Sequence, residues 1–217
     1  KWIGGIQLTK GGSTVVNGYE SITGQINTEL LKTHDDDKKS ETEINLFSDN
    51  NGRVEANVTS TSPISDKWTQ SVLLHGNGTF GDTDMNDDGF LDRPKGSQLN
   101  VAYLLNYNDL ENSGFASHFG INYLKDERTA GQIGFNKRIP QKDQSLYGVG
   151  IDISRFQLWN KTGYVFKGKP YQSLGWMNQL TYHQQDSFFG LRNYFGKETS
   201  YYSNLIFRIN FHFTLIK

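Results

Sequence analysis

The chain of 217 residues contains no cysteine, only 4 prolines and 2 methionines, and no long apolar run. Without cysteine there is no disulfide framework and no thiolate metal site. The longest uninterrupted apolar stretch, Val101 to Leu105, is far short of the roughly 20 residues a membrane-spanning helix needs. The start at Lys1 lacks the charged-then-apolar pattern of a signal peptide, so none is expected within these residues. Hydrophobic residues make up 35%, low for a full dry core, while aromatics reach 13% and glycine fills 23 positions. That balance suits a β protein wet on one side of each strand. An outer-membrane barrel, which hides its hydrophobicity in alternate positions, fits the description.

The formal net charge of −1 conceals an asymmetry. Residues 1–108 carry 9 Lys/Arg against 15 Asp/Glu, or −6; residues 109–217 carry 13 against 8, or +5. Neither half has a basic stripe dense enough for nucleic acid, and none is expected as a partner. The run Asp35-Asp36-Asp37-Lys38-Lys39 reads as solvated loop.

The strongest periodic signal lies at the end of the chain. Leu205, Phe207, Ile209, Phe211, Phe213 and Leu215 alternate with Ile206, Arg208, Asn210, His212 and Thr214. Period-2 alternation over eleven residues puts large apolar groups on one face and mostly polar groups on the other. A sandwich strand is usually about 5–6 residues, whereas a transmembrane β-strand needs about 9–11. Similar faces recur at Leu99, Val101, Tyr103, Leu105 and Tyr107; at Phe115, Phe119, Ile121 and Tyr123; at Phe156, Leu158, Tyr164 and Phe166; and at Leu174, Trp176, Leu180 and Tyr182. Trp68, Val72 and Leu74 form a shorter one. Asn50-Asn51-Gly52 marks a hairpin. The pattern predicts about eight strands after residue 40 and no amphipathic helix.

Connections are expected to be short at 50–52, 61–66, 108–113 and 167–170, and long at 76–96, 126–150 and 185–200. After the first hairpin, long and short alternate, as extracellular loops and periplasmic turns do in outer-membrane barrels. A soluble sandwich has no reason to keep that parity.

The first 32 residues do not alternate. They predict a short strand (2–9), a glycine turn, an irregular segment (15–21) and a second strand (25–31). Ile6, Leu8, Lys10, Gly11, Val16, Asn17, Gly18, Gly24, Gln25, Ile26 and Asn27 resemble the C-terminal part of the plug domain of TonB-dependent outer-membrane receptors. Asn17-Gly18-Tyr19-Glu20 is similar to the variant found in the Bacteroidetes, and Gly12 stands where a proline is usual. The resemblance implies an all-β chain: residues 1–35 as the end of a plug, and 36–217 as the first part of a transmembrane antiparallel β-barrel. It implies an outer-membrane location in a Gram-negative bacterium, lipid around the wall, and a TonB energy-coupling complex as partner. Loops would bind an imported ligand of unknown identity, and no bond would be made or broken by this chain. The signal peptide, coupling box and most of the plug would lie before Lys1, and further strands after Lys217.

One constellation carries its own chemistry. Asp84, Asn86, Asp88, the carbonyl of Phe90 and Asp92 fall at positions 1, 3, 5, 7 and 9 of an EF-hand-type loop, with Gly89 at position 6. Lys95 occupies the place of the closing bidentate glutamate, so any calcium bound there is expected to be weak, with Asp82 a candidate to complete the shell. The bland reading is an acidic surface loop. Gly76-x-Gly78-x-x-Gly81 matches a dinucleotide fingerprint in spacing, but an aspartate-rich loop follows where the motif needs a helix. His75, His118, His183 and His212 fall on polar strand faces. Trp68, Trp159, Trp176, Tyr201 and Tyr202 fall near expected strand ends, where membrane girdles place aromatic rings. No nucleophile elbow, zinc-spaced histidine pair or Walker loop is present. The reading is therefore a transporter, not an enzyme. A soluble calcium-binding β-sandwich adhesin is the alternative, and a barrel hydrolase has only scattered acids in its favour.

Overall fold

The computed structural model of the chain describes residues 2–12, 24–30 and 39–209. Two strands, β1 (Ile3–Lys10) and β2 (Gly24–Leu30), pair antiparallel as a small separate sheet. Eight more follow: β3 (Glu41–Ser48), β4 (Arg53–Pro63), β5 (Trp68–Thr79), β6 (Lys95–Asp109), β7 (Phe115–Gly131), β8 (Gly148–Val165), β9 (Gln172–Phe189) and β10 (Arg192–Ile209). Each pairs antiparallel with its neighbours in chain order, giving one up-and-down sheet with β3 and β10 at its edges. The helical content of the described residues is a single 3-10 turn, Gln141–Asp143.

Register places the expected faces together. One row runs Gln70, Leu105, Phe119, Asn160, Asn178 and Ser203 across six strands. The rows beside it carry Val72, Tyr103, Ile121, Leu158 and Leu180, then Trp68, Tyr107, Ser117, Thr162, Trp176 and Leu205. Large apolar side chains on this face are open: Ile121 is 43% exposed, Trp176 49% and Leu205 66%. At the short-turn end an aromatic row closes it. Trp68 and Tyr107 lie 4.9 Å apart, Tyr107 and Phe115 5.8 Å, Tyr164 and Phe166 5.1 Å, and Phe166 and Phe207 6.2 Å.

The opposite face is mostly polar, with Leu124, Ile151, Ile153 and Met177 among its residues and one buried apolar cluster. Leu73, Ala102 and Leu104 are buried there, with Trp2, Leu30 and Trp159 packed against them. The β1–β2 hairpin thus seats on the polar face, and its strands pair only with each other among the described residues. Trp159 was expected near a strand end, on a girdle. It lies inside β8, which runs on to Val165, and register turns its ring to the hairpin side, over Gly120.

The connections follow the expected parity with one correction. At one end lie the short turns 64–67, 110–114 and 166–171; at the other lie 49–52, the long loops 80–94 and 132–147, and a two-residue turn at 190–191. The long connection expected over 185–200 is instead the tip of a β9–β10 hairpin, turned by Gly190 at φ 58°. Its aromatic residues fall on both faces, Phe188 and Phe195 on one and Phe189 and Tyr194 on the other, so no alternation betrays the strands. The expectations for residues 15–21 and for Phe211, His212, Phe213 and Leu215 lie outside the described residues.

Candidate functional site

On the polar face, β4, β5 and β6 build a connected row of side chains. His75 Nδ1 lies 2.7 Å from Asn57 Oδ1, and Asn77 Nδ2 donates to His75 Nε2 at 2.9 Å and to Gln98 Oε1 at 2.8 Å. This arrangement fits the imidazole tautomer with its proton on Nδ1. Asn57 Nδ2 donates to Glu55 Oε1 at 3.1 Å, and Arg53 pairs with the other Glu55 oxygen at 2.7 Å. Further along the face Asn106 Oδ1 lies 2.8 Å from His118 Nδ1, and Arg155 Nε donates to His183 Nδ1 at 3.3 Å. The three described histidines of the sequence pattern therefore share one face, as their positions predicted. Amides, imidazoles and a guanidinium of this kind can hold a polar solute or a docked segment by hydrogen bonds.

Among the described residues the acceptors Asn77 Oδ1, Asn100 Oδ1 and Asn122 Oδ1 and the Trp2 indole N–H donor are buried without a hydrogen-bond partner. Each unmade bond costs about 1–3 kcal/mol.

The acidic loop folds tightly on itself. Asp84 Oδ1 accepts from the Asp88 amide at 3.2 Å and Oδ2 from the Gly89 amide at 2.9 Å. Asp88 accepts from the Phe90 amide at 2.8 Å and from Asn86 Nδ2 at 3.0 Å, and Asp92 accepts from the Met85 amide at 2.7 Å. Asp87 and Gly89 take positive φ values of 56° and 80° to make the turn. The Phe90 main chain bridges to Gln132 of the other long loop. Asp82, a candidate extra ligand, instead pairs with Lys95 at 2.6 Å. Among the described residues no group of three or more His, Cys, Asp or Glu side chains is placed to hold a metal ion.

A neighbouring contact was not legible in the sequence. Asp49 Oδ1 accepts from the Asn51 and Arg53 amides, both at 2.9 Å, and Oδ2 pairs with Arg93 at 3.0 Å. The Arg53 amide first, then the Arg93 guanidinium, hold this carboxyl below its ordinary 3.8. Asp49 thereby ties the β3–β4 turn to the acidic loop. At the other end the Asp109 carboxylate, 2.9 Å from Lys67 Nζ, holds that amine above its ordinary 10.5. No protein-family model, curated protein or solved structure matches the chain.

Proposed function

We propose that this chain is part of an outer-membrane receptor of the TonB-dependent kind, in which the eight-stranded sheet is a stretch of barrel wall and the β1–β2 hairpin is the end of a plug. The observation that carries the reading is the uncovered face. From Phe115 to Tyr123 on β7 it spans eight residue steps, about 27 Å along the strand. At the usual strand tilt that is roughly 20 Å of height, near the apolar band of such barrels. Between the Phe115 and Tyr123 rows the outward positions carry no Asp, Glu, Lys or Arg; charge begins at Lys125 and Lys197 past the Tyr123 row, and on the other side at Asp109 in the Phe115 row itself and at Lys67 next to it.

Its neutral polar groups point the same way. Ser117 and Thr162 bond at 2.8 Å, and Asn160 donates to Thr162 at 2.9 Å. Asn178 donates to Asn160 at 2.8 Å and accepts from Tyr201 and Ser203. Water makes such pairing unnecessary; hydrocarbon demands it. A soluble calcium-binding sandwich needs a second sheet over the apolar face, and among the described residues the other sheet lies on the opposite one.

The mechanism this reading implies is binding and gating. Ligand engages the long-loop end, and a pull by the TonB complex shifts the hairpin from its seat. Calcium held by Asp84, Asn86, Asp88, the Phe90 carbonyl and Asp92 belongs to the same proposal and rests on spacing alone. Calorimetric titration of calcium, against an Asp84→Ala/Asp88→Ala variant, tests it; equal heats from both remove the ion. Envelope fractionation tests the receptor reading. The protein should sediment with the outer membrane, resist extraction by carbonate and dissolve in detergent. Recovery as a folded protein in the soluble fraction overturns it.

A further inference from the structure

At the long-loop end, the 132–147 loop and the β9–β10 turn leave an open groove of about 380 Å³ between them, lined chiefly by Gln141, Ser145, Tyr147, Phe189, Leu191 and Arg192. Gly190 makes the groove possible. Its positive φ turns the hairpin, and its missing side chain admits the Tyr147 ring, which a Cβ would approach to 2.9 Å. The wall is fixed by main-chain bonds from Gly190 to Gly148 at 2.8 Å and from Gln132 to Tyr147 at 2.9 Å. Tyr147 and Phe189 are each 45% exposed, and Leu191 77%, so the groove offers apolar surface at an end of the molecule rich in charge.

One charged group on its rim is unused. Gln141 Nε2 donates to the Leu146 carbonyl at 2.6 Å, which fixes the amide in the groove wall. Arg192 is exposed and has no ion-pair partner among the described residues. The charge around the groove also has a sign. The 132–147 loop carries Arg138 and Lys142 against Asp143, with its Lys137 paired to Asp152 at 2.7 Å, whereas the 80–94 loop carries Asp82, Asp84, Asp87, Asp88 and Asp92 against Arg93. Anions are drawn to the first and repelled by the second.

We propose that this groove binds a small organic anion with a flat apolar body. Its carboxylate pairs with the Arg192 guanidinium, whose planar fork matches two carboxylate oxygens. Its ring lies against Tyr147 and Phe189. The groove stands at the loop end whether or not the apolar face meets lipid, so its test is independent of the receptor reading.

Indole-3-acetate, which has both features, is the probe. Calorimetry on the folded chain should give saturable binding that weakens by about tenfold or more in Arg192→Gln, the loss expected for one charge-assisted hydrogen-bonded contact. Arg192→Lys should fall between the two. Tryptophol, with the same ring and no carboxylate, should bind the unaltered protein no better than indole-3-acetate binds Arg192→Gln. Lys169→Gln, at the opposite end, controls for net charge and should change nothing. Because Arg192 is exposed, its variants are expected to fold, which circular dichroism checks. Equal affinity in Arg192→Gln and the unaltered protein, or no saturation up to millimolar probe, overturns the proposal.

Discussion

Gly120 has no side chain because Trp159 lies where one would be. A Cβ there would sit 2.2 Å from the indole, so Gly120→Ala forces the ring off the hairpin seat. Overpacking of this kind costs about 1–3 kcal/mol. The variant should unfold at lower denaturant and show altered tryptophan fluorescence; unchanged stability would mean the ring does not rest there. Asp49 gives a pH prediction. Its carboxyl is held below 3.8, so its contribution is complete above that value and is lost as pH falls through the lowered one. Protease cleavage within 80–94 should therefore rise in acid, and in Asp49→Asn it should already be raised at neutral pH. The same cleavage in both proteins at every pH would contradict the link.

At residue level the sequence was most informative where its pattern broke. Val72-Leu73-Leu74 and Tyr103-Leu104-Leu105 interrupt strict alternation, and Leu73 and Leu104 are the two large side chains buried beneath the hairpin. An extra leucine on a polar face is a readable sign that something docks there. Asp49 gave no such sign, since its partner Arg93 is 44 residues away and only the fold brings them together.

Among the elements, the β1–β2 hairpin and the β9–β10 hairpin differ in how they are held. Among the described residues the first meets the large sheet through side chains, around Leu73. Leu73→Ala removes the most buried of them, at 1% exposure, and should cost about 2–5 kcal/mol. Hydrogen exchange should then quicken at Ile6 and Ile26 while amides of β8 keep their protection. Equal acceleration in both sheets would mean the hairpin is no separate unit. The β9–β10 hairpin is a continuous ladder from Gln172 to Ile209. Its outer half escaped the sequence reading because Gln184, Gln185, Asp186 and Ser187 are polar on both faces. Of the strands whose two faces differ, β6 was legible nearly throughout and β7 as far as Lys125, since 126–131 was expected as loop.

For the molecule as a whole, the decisive fact is a sheet with one face occupied by a hairpin and the other bare. Monomeric soluble proteins rarely expose contiguous apolar patches larger than a few hundred Å². Here Leu99, Phe119, Ile121, Leu158, Trp176 and Leu205 belong to one continuous face, each at least 39% exposed. The charge asymmetry of the sequence resolves at the long-loop end into an acidic loop over 80–94 and a basic one over 132–147. Periodicity revealed the faces; it carried no information about what the loops bind, because their chemistry depends on contacts between residues far apart in sequence.

The central claim, that this bare face meets lipid, is tested most directly on two neighbouring residues of β7. Phe119 lies on the apolar face and His118 on the polar one, and both side chains are exposed, so burial does not distinguish them. Spin labels placed singly at each, in the protein reconstituted into bilayers, report collisions with oxygen, which concentrates in lipid, and with a water-soluble nickel chelate. The account predicts high oxygen and low nickel accessibility at position 119, and the reverse balance at 118. Equal balance at the two positions, or nickel dominating at both, would contradict it.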